Sequence, residues 1–204
     1  MSYILHPYQK AVVRHICKNR GTGVFLGMGL GKTLSTLEAG MVEVFDKLAI
    51  NKTLIVAPKK VAEATWQKEA KKWGLPLRIS TVLGSTKERI LALNRPADVY
   101  IINRENVVWL CEHYGYQLPF DMLVLDESTS FKSNKAKRWK SLRRVCLWFK
   151  KIVLLTGTPS PNGLMDLWAQ VYLLDGGKRL GRTLTEFRNN YFIPDKRNGH
   201  IVFS

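Results

Sequence analysis

Acidic residues are scarce in this chain. Sixteen Asp and Glu stand against 32 Lys and Arg, a formal charge of +16 over 204 residues. That excess argues against an ordinary soluble metabolic enzyme and for a polyanionic partner, nucleic acid ahead of a membrane surface, although a merely solubilising charge gives the same total. Cysteine is scarce too: Cys17, Cys111 and Cys146 lie far apart with no paired spacing, so neither a zinc site nor a disulfide framework is expected, and a reducing compartment fits. No apolar run is long enough for a signal peptide or a membrane span. Internal repeats and low-complexity tracts are missing, and no linker precedes Gly176-Gly177. These absences lead to the expectation of a cytoplasmic protein built on a single well-buried core, with a nucleus also allowed.

What is present is an alternation of short β-branched runs with amphipathic stretches. Strands are expected at 24–26, 53–57, 78–82, 99–102, 122–125 and 152–155, most of them apolar throughout, as strands covered on both faces are. Helices are expected at 7–19, 32–47, 62–73, 86–93, 105–114, 136–148 and 164–173. The order implies a three-layer α/β domain with a mainly parallel sheet over 1–175, then a C-terminal extension over 176–204 in which the alternation ends and Ile201-Val202-Phe203 reads as a strand.

The most informative stretch is Phe25-Leu26-Gly27-Met28-Gly29-Leu30-Gly31-Lys32-Thr33, an apolar run that breaks into glycines and meets Gly-Lys-Thr ahead of a helix. Gly27, Gly29 and Gly31 let the loop, with Met28 and Leu30, turn its N–H groups onto a β-phosphate at the positive end of that helix. Lys32 would reach the β and γ oxygens and Thr33 would hold Mg²⁺, so ATP and Mg²⁺ are the expected ligands. Leu26 stands where the strict phosphate-loop pattern has glycine, and alone the motif fits an ordinary glycine-rich turn equally well.

A second run, Asp121-Met122-Leu123-Val124-Leu125-Asp126-Glu127, ends an apolar strand in two carboxylates. Open α/β sheets place ligand chemistry at such ends. Asp126 would hold Mg²⁺ opposite Thr33, and Glu127 would orient and deprotonate the attacking water. An acidic pair capping a following helix is the bland alternative, and Gly-Lys-Thr on an earlier strand weighs against it.

A third strand end reads Leu154-Leu155-Thr156-Gly157-Thr158-Pro159 and continues into Asn162-Gly163-Leu164-Met165-Asp166-Leu167-Trp168. Phosphate loop, Asp-Glu box and Leu-Thr-Gly-Thr-Pro in this order resemble the first RecA-like domain of superfamily 2 helicases, the Swi/Snf-type DNA translocases and their small phage and bacterial kin above all. The resemblance runs from about Leu5 to Leu174. It implies a RecA-like P-loop NTPase fold and ATP-dependent movement on DNA, duplex and bound without sequence preference, with a second RecA-like lobe supplied in cis or in trans for full activity. By position it assigns adenine to Gln9, nucleic-acid contacts to Pro58, Lys59, Lys60, Asn103 and Arg104, and coupling of the γ-phosphate site to the nucleic-acid groove to Thr156, Gly157 and Thr158. Trp66 reads as a core residue.

Three departures accompany the resemblance. Ser128-Thr129 replaces the Ala-His or Gly-His that follows Asp-Glu in the family, Leu26-Gly27 replaces an acidic pair, and nothing matches a second lobe with its arginine fingers. Weak hydrolysis by this chain alone is therefore expected. From Lys132 to Lys151 there is no acid, and the cations there fit either a phosphate-contacting or partner-docking face or a plain solvated one, with Trp139 and Trp148 read as core anchors. Two rivals remain: an RNA helicase of the Asp-Glu-Ala-Asp type, and a non-catalytic nucleic-acid-binding regulatory module that keeps the fold.

Overall fold

Pro7 presets the backbone angle of a first helical turn and lacks the N–H that such a turn leaves unpaired. The computed structural model, which describes residues 3–197 and 200–203, starts its first helix there. α1 is Pro7–Lys18 and is followed by β1 (Gly21–Phe25), α2 (Lys32–Met41), β2 (Thr53–Ala57), α3 (Trp66–Lys72) and β3 (Ile79–Val82). Then come α4 (Thr86–Asn94), β4 (Val99–Asn103), α5 (Val107–His113), β5 (Met122–Asp126), α6 (Lys137–Val145), β6 (Lys151–Thr156) and α7 (Met165–Asp175). The six strands form one parallel sheet in the order β1-β6-β5-β2-β4-β3.

Alternation of side chains along the strands feeds two cores. In β2, Ile55 and Ala57 pack with Ile16, Leu37 and Trp66 beneath α1 to α3. Leu54 and Val56 point the other way, into a cluster with Leu93, Leu110, Leu142 and Leu173 beneath α4 to α7. This is the three-layer RecA-like arrangement. Every residue of β2 and β4 is buried, which explains why those strands read as continuous apolar runs rather than alternating ones.

Several helix bounds differ from the periodicity. The 32–47 stretch is α-helical to Met41 and then widens into a π-helical turn, Val42–Asp46, and a second π turn, Val61–Thr65, precedes α3. The 136–148 stretch ends as a 3₁₀ turn, Cys146–Trp148. Beyond Gly176 there is one more helix, α8 (Leu184–Tyr191), capped by Thr183 Oγ1 accepting from Glu186 N at 3.1 Å. Its Phe187 enters the same core as α7. An antiparallel hairpin, β7 (Pro194–Arg197) with β8 (His200–Phe203), contains the expected strand. Among the described residues no helix is long and apolar enough to cross a membrane.

Chain connectivity sets the position of the site. The crossover from β1 passes over β6 and β5 to reach β2, so the segments leaving β1, β6, β5 and β2 emerge side by side at one edge of the sheet.

Candidate functional site

Phe25 pairs in register with Thr156, so the glycine loop leaves β1 directly beside the end of β6. Gly29 and Gly31 have φ of 76° and 70°, the left-handed region where a side chain is strained. A Cβ at Gly31 would also lie 2.2 Å from Gln9 Nε2, so a side chain there would push the Gln9 amide aside. Gln9 is buried against the loop, and its Oε1 accepts from His6 N at 2.9 Å, which leaves the NH₂ group facing Gly31. Lys32 caps the loop from within, its Nζ donating to Leu26 O at 2.8 Å and Gly27 O at 2.9 Å. A cleft of about 510 Å³ opens here, walled by Gln9, Gly29, Gly31, Lys32 and Thr33 on one side and by Glu69 and Trp73 on the other.

A larger cleft, about 860 Å³, lies at the opposite end of the sheet between Phe45, Leu48 and Tyr100. It has neither a glycine loop nor a helix N-terminus carrying Gly-Lys-Thr, and its one carboxylate, Asp98, is closed on Arg78. Volume does not select the site; chemistry does.

Asp126 ends β5 with both carboxylate oxygens oriented. Oδ2 accepts from Trp66 Nε1 at 3.0 Å, and Oδ1 accepts from the backbone N of Glu127 at 3.0 Å. Burial pushes the Asp126 carboxyl above the ordinary aspartate value, reinforced by the Glu127 charge and opposed by the indole, by the Glu127 amide and by Lys32. Trp66 is the core residue it was read as, fully buried, and it is also the residue that aims Asp126. The available sequence signal is general: a buried indole needs an acceptor for its N–H, and Asp126 lies on the strand paired with β2.

Glu127 is exposed and sits at φ 51°, ψ 58°, left-handed for a residue with a Cβ. Such a conformation costs on the order of 1 kcal/mol or more and persists where surrounding structure over-determines it, as at functional sites. It turns the chain away from the strand and leaves the carboxylate in solvent at the strand end. Thr156 is fully buried, with Oγ1 accepting from Thr158 N at 3.1 Å. A Cβ at Gly157 would stand 3.5 Å from Leu26 O and 4.0 Å from Met28 N, so the threonine segment lies against the glycine loop. The residues expected to bind nucleotide, to act on it and to couple it therefore converge at one strand edge.

Among the expected nucleic-acid contacts, Pro58 O accepts from Val61 N and Ala62 N, at 2.9 and 2.8 Å, and starts the turn that carries Lys59 and Lys60. Both lysines are exposed, Lys59 only loosely paired with Glu63 at 3.9 Å. Asn103 is different. Its amide is buried, donating to Glu105 Oε2 at 2.9 Å and accepting from Asn106 Nδ2 at 2.6 Å, and Arg104 Nε donates to Glu105 Oε1 at 2.9 Å. Trp139 is core, but Trp148 is 64% exposed and anchors nothing, because the turn it occupies ends α6 at the surface.

Among the described residues no cluster of three or more His, Cys, Asp or Glu side chains could hold a metal. Mg²⁺ does not require one. It keeps several waters and takes one or two protein oxygens beside the substrate's phosphates, and the Thr33 hydroxyl and the oriented Asp126 carboxylate fit that demand.

The comparisons with known proteins bear on the family and the fold. A family model described as the SNF2-related domain matches residues 8–200. Putative protein p41 of Acyrthosiphon pisum secondary endosymbiont phage 1 is 40% identical over 196 residues, 91% of this chain and 42% of that protein. Helicase SWR1 of Mycosarcoma maydis is 34% identical over 180 residues, 83% of this chain and 10% of that protein. The chain thus spans less than half the length of these relatives. Among solved structures, the Sulfolobus solfataricus SWI2/SNF2 ATPase core in complex with dsDNA shares the fold at a TM-score of 0.80 and 23% identity, over 94% of this chain and 39% of that one. The ATPase core domain from the same organism gives 0.69 at 25% identity, over 94% and 38%. With the family model matched over almost its whole length, this chain belongs to the SNF2-related domain family.

Proposed function

We propose that this chain is the ATP-binding lobe of a DNA translocase, its hydrolysis of ATP coupled to movement along duplex DNA and dependent on a second RecA-like lobe. The observation that carries the reading is that the cleft lined by Gln9, Gly31, Lys32 and Thr33 opens at the strand edge where β5 ends in Asp126 and Glu127, with the Lys32 charge felt at Asp126. The Sulfolobus solfataricus SWI2/SNF2 ATPase core in complex with dsDNA supports the choice of duplex DNA.

In this reading the loop N–H groups and Lys32 bind the phosphates. The Lys32 ammonium exchanges the carbonyls of Leu26 and Gly27 for β and γ oxygens, a move of one side chain with no refolding of the loop. Trp66 and the Glu127 amide orient the Asp126 carboxylate, which together with the Thr33 hydroxyl would hold Mg²⁺. Mg²⁺, when bound, neutralises charge between the phosphate oxygens. Glu127 orients a water and takes its proton, and Gln9 reads the adenine. Lys59, Lys60 and the Asn103–Arg104 strand end serve the nucleic-acid side.

Because the stabilising arginines belong to the second lobe, this chain alone binds ATP better than it cleaves it. The test is calorimetric titration with ATP and Mg²⁺ alongside a turnover assay. Binding with slow turnover is expected, and Glu127→Gln lowers what turnover there is while sparing affinity. Brisk DNA-stimulated hydrolysis by the isolated chain would count against the need for a second lobe, and no binding at all would sink the reading.

A further inference from the structure

Ser128 and Gln170 are wholly buried although both are polar, a placement that is costly unless every group is satisfied. Here every group is. Ser128 Oγ donates to Gln170 Oε1 at 2.7 Å, and Gln170 Nε2 donates to Pro159 O at 2.7 Å and to Asp166 O at 2.9 Å. A carboxamide has two donors on its nitrogen and none on its oxygen, so turning it over would set the oxygen against two carbonyls. One orientation alone fits.

This chain of bonds joins two loops that sequence keeps apart. Ser128 is the peptide neighbour of Glu127, and Pro159 follows Thr156-Gly157-Thr158. A second link runs beside the first: Asp166 Oδ2 accepts from Lys132 Nζ at 3.1 Å and from Asn162 N at 2.9 Å. Asp166 and Gln170 are four residues apart on one face of α7, so a single helix face bridges the segment after the Asp-Glu pair to the threonine segment.

We propose that Gln170 is a positioning residue that couples the Glu127 strand end to the Thr156–Pro159 segment, transmitting the state of the nucleotide cleft to the loop after β6. The proposal rests on the nucleotide reading above. Glu127 keeps its left-handed backbone while its surroundings hold it, and it stands between two anchored side chains, Asp126 before it and Ser128 after it. If the loop after β6 shifts, Gln170 loses its acceptor on Pro159; if the Glu127 turn shifts, Gln170 loses its donor from Ser128. The two segments move together or leave a buried polar pair open. That is the physical content of coupling through a bistable element.

A purely packing role makes a different prediction. Replacing both partners of a buried bond by apolar groups of similar shape is close to neutral for that bond, so Ser128→Ala combined with Gln170→Leu removes the link at the expense of the Pro159 and Asp166 carbonyls, which lose their side-chain donor. The measurement is hydrogen exchange on the whole chain with and without Mg²⁺ and a non-hydrolysable β,γ-imido ATP analogue, alongside unfolding midpoints and analogue affinity. In the native protein the analogue slows exchange in both 126–131 and 157–163, by about tenfold, the scale of a coupling between sites. In the double variant the midpoint falls modestly, for the unpaired Pro159 carbonyl, the affinity and the analogue-dependent protection of 126–131 stay, and the analogue-dependent protection of 157–163 is lost. A double variant that still protects 157–163 overturns the proposal. If it does not fold, Ser128→Ala alone decides on the same readout, since Gln170 there keeps its bond to Pro159 but loses its donor. Protection confined to 126–131 in the native protein overturns the coupling only, whereas protection in neither segment overturns the nucleotide reading and the coupling with it.

Discussion

At the N-terminal ends of the strands, charge is turned inward. Lys151 gives its ammonium to the carbonyls of Ile16, Cys17 and Asn19 at the end of α1 and lies 3.5 Å from Glu43. Arg20 spans Leu174 O and Cys146 O, Arg78 closes on Asp98 at 2.6 Å, and Lys150 on Asp121 at 3.0 Å. Past the C-terminal ends Arg104 still closes on Glu105 and Lys132 on Asp166, but around the glycine loop and the Asp-Glu pair the pattern reverses. Lys32 is held only by carbonyls of its own loop, Glu127 is exposed in a strained conformation, and Lys59 and Lys60 face solvent. The same residue types therefore hold the fold together at one edge and remain available to a ligand at the other, so charge count alone does not mark a site. What marks it is charge left without a closed internal partner beside a backbone that only glycine tolerates.

The largest test of that contrast is a cross-over of two lysines. Lys151→Ala leaves the helix-end carbonyls and the buried Glu43 with Lys47 as its remaining partner, so a loss of about 3 kcal/mol in urea unfolding is expected. ATP affinity of the folded molecules should not change. Lys32→Ala should do the opposite, leaving the unfolding midpoint in place and weakening ATP binding by about 2 kcal/mol, roughly thirtyfold. A Lys32 variant that unfolds early, or a Lys151 variant that binds ATP poorly when folded, would break the division between the two ends.

The division also explains what sequence could and could not reveal. Gly-Lys-Thr, Asp126-Glu127 and Thr156-Gly157-Thr158 were legible because each ends an apolar run, and the ends of parallel strands lie together. The acid-free stretch from Lys132 to Lys151 was not legible as a surface. α6 runs across the domain, so Lys137 and Lys140 are exposed on the helix while Lys150 and Lys151 sit at the far edge of the sheet. Arg143 and Arg144 are drawn over the Tyr172 and Tyr116 rings, at 5.1 and 3.5 Å. Charge density along the chain was not charge density in space. The left-handed Glu127, the indole bond to Asp126 and the π-helical turns are likewise properties of backbone and packing to which composition is blind. α8 escaped notice because it is short and follows a glycine-rich loop, and only Phe187 among its residues is buried.

A smaller effect should appear on acidification. Hydrogen bonds from Arg78 hold the Asp98 carboxyl below the ordinary aspartate value, with burial working against them. A carboxyl lowered on folding stabilises fully above its unfolded pKa, about 3.9, and loses that contribution as pH falls through the folded value. Unfolding midpoints at pH 5 and pH 3 should therefore drop more for the native protein than for Asp98→Asn. Equal drops would mean that the closed pair at this edge does not contribute through its charge.

The smallest effect, and the one that probes the open edge most directly, is salt-dependent binding of duplex DNA. Lys59 and Lys60 stand just past the end of β2, beside the Asn103 strand end, and the loose pair of Lys59 with Glu63 at 3.9 Å is an exposed one of the kind worth about 1 kcal/mol or less. In the proposed reading these lysines would meet phosphates, and each phosphate contact releases counterions and carries no base information. Replacing both with alanine should weaken binding to all duplex sequences alike and flatten the log-log salt slope by about 1.8. Lys137→Ala with Lys140→Ala is the companion measurement on α6. A change of slope for the β2 pair alone would confine the DNA path to the strand edge, whereas a change for the α6 pair alone would move the path onto that helix and detach it from the edge where the nucleotide groups converge.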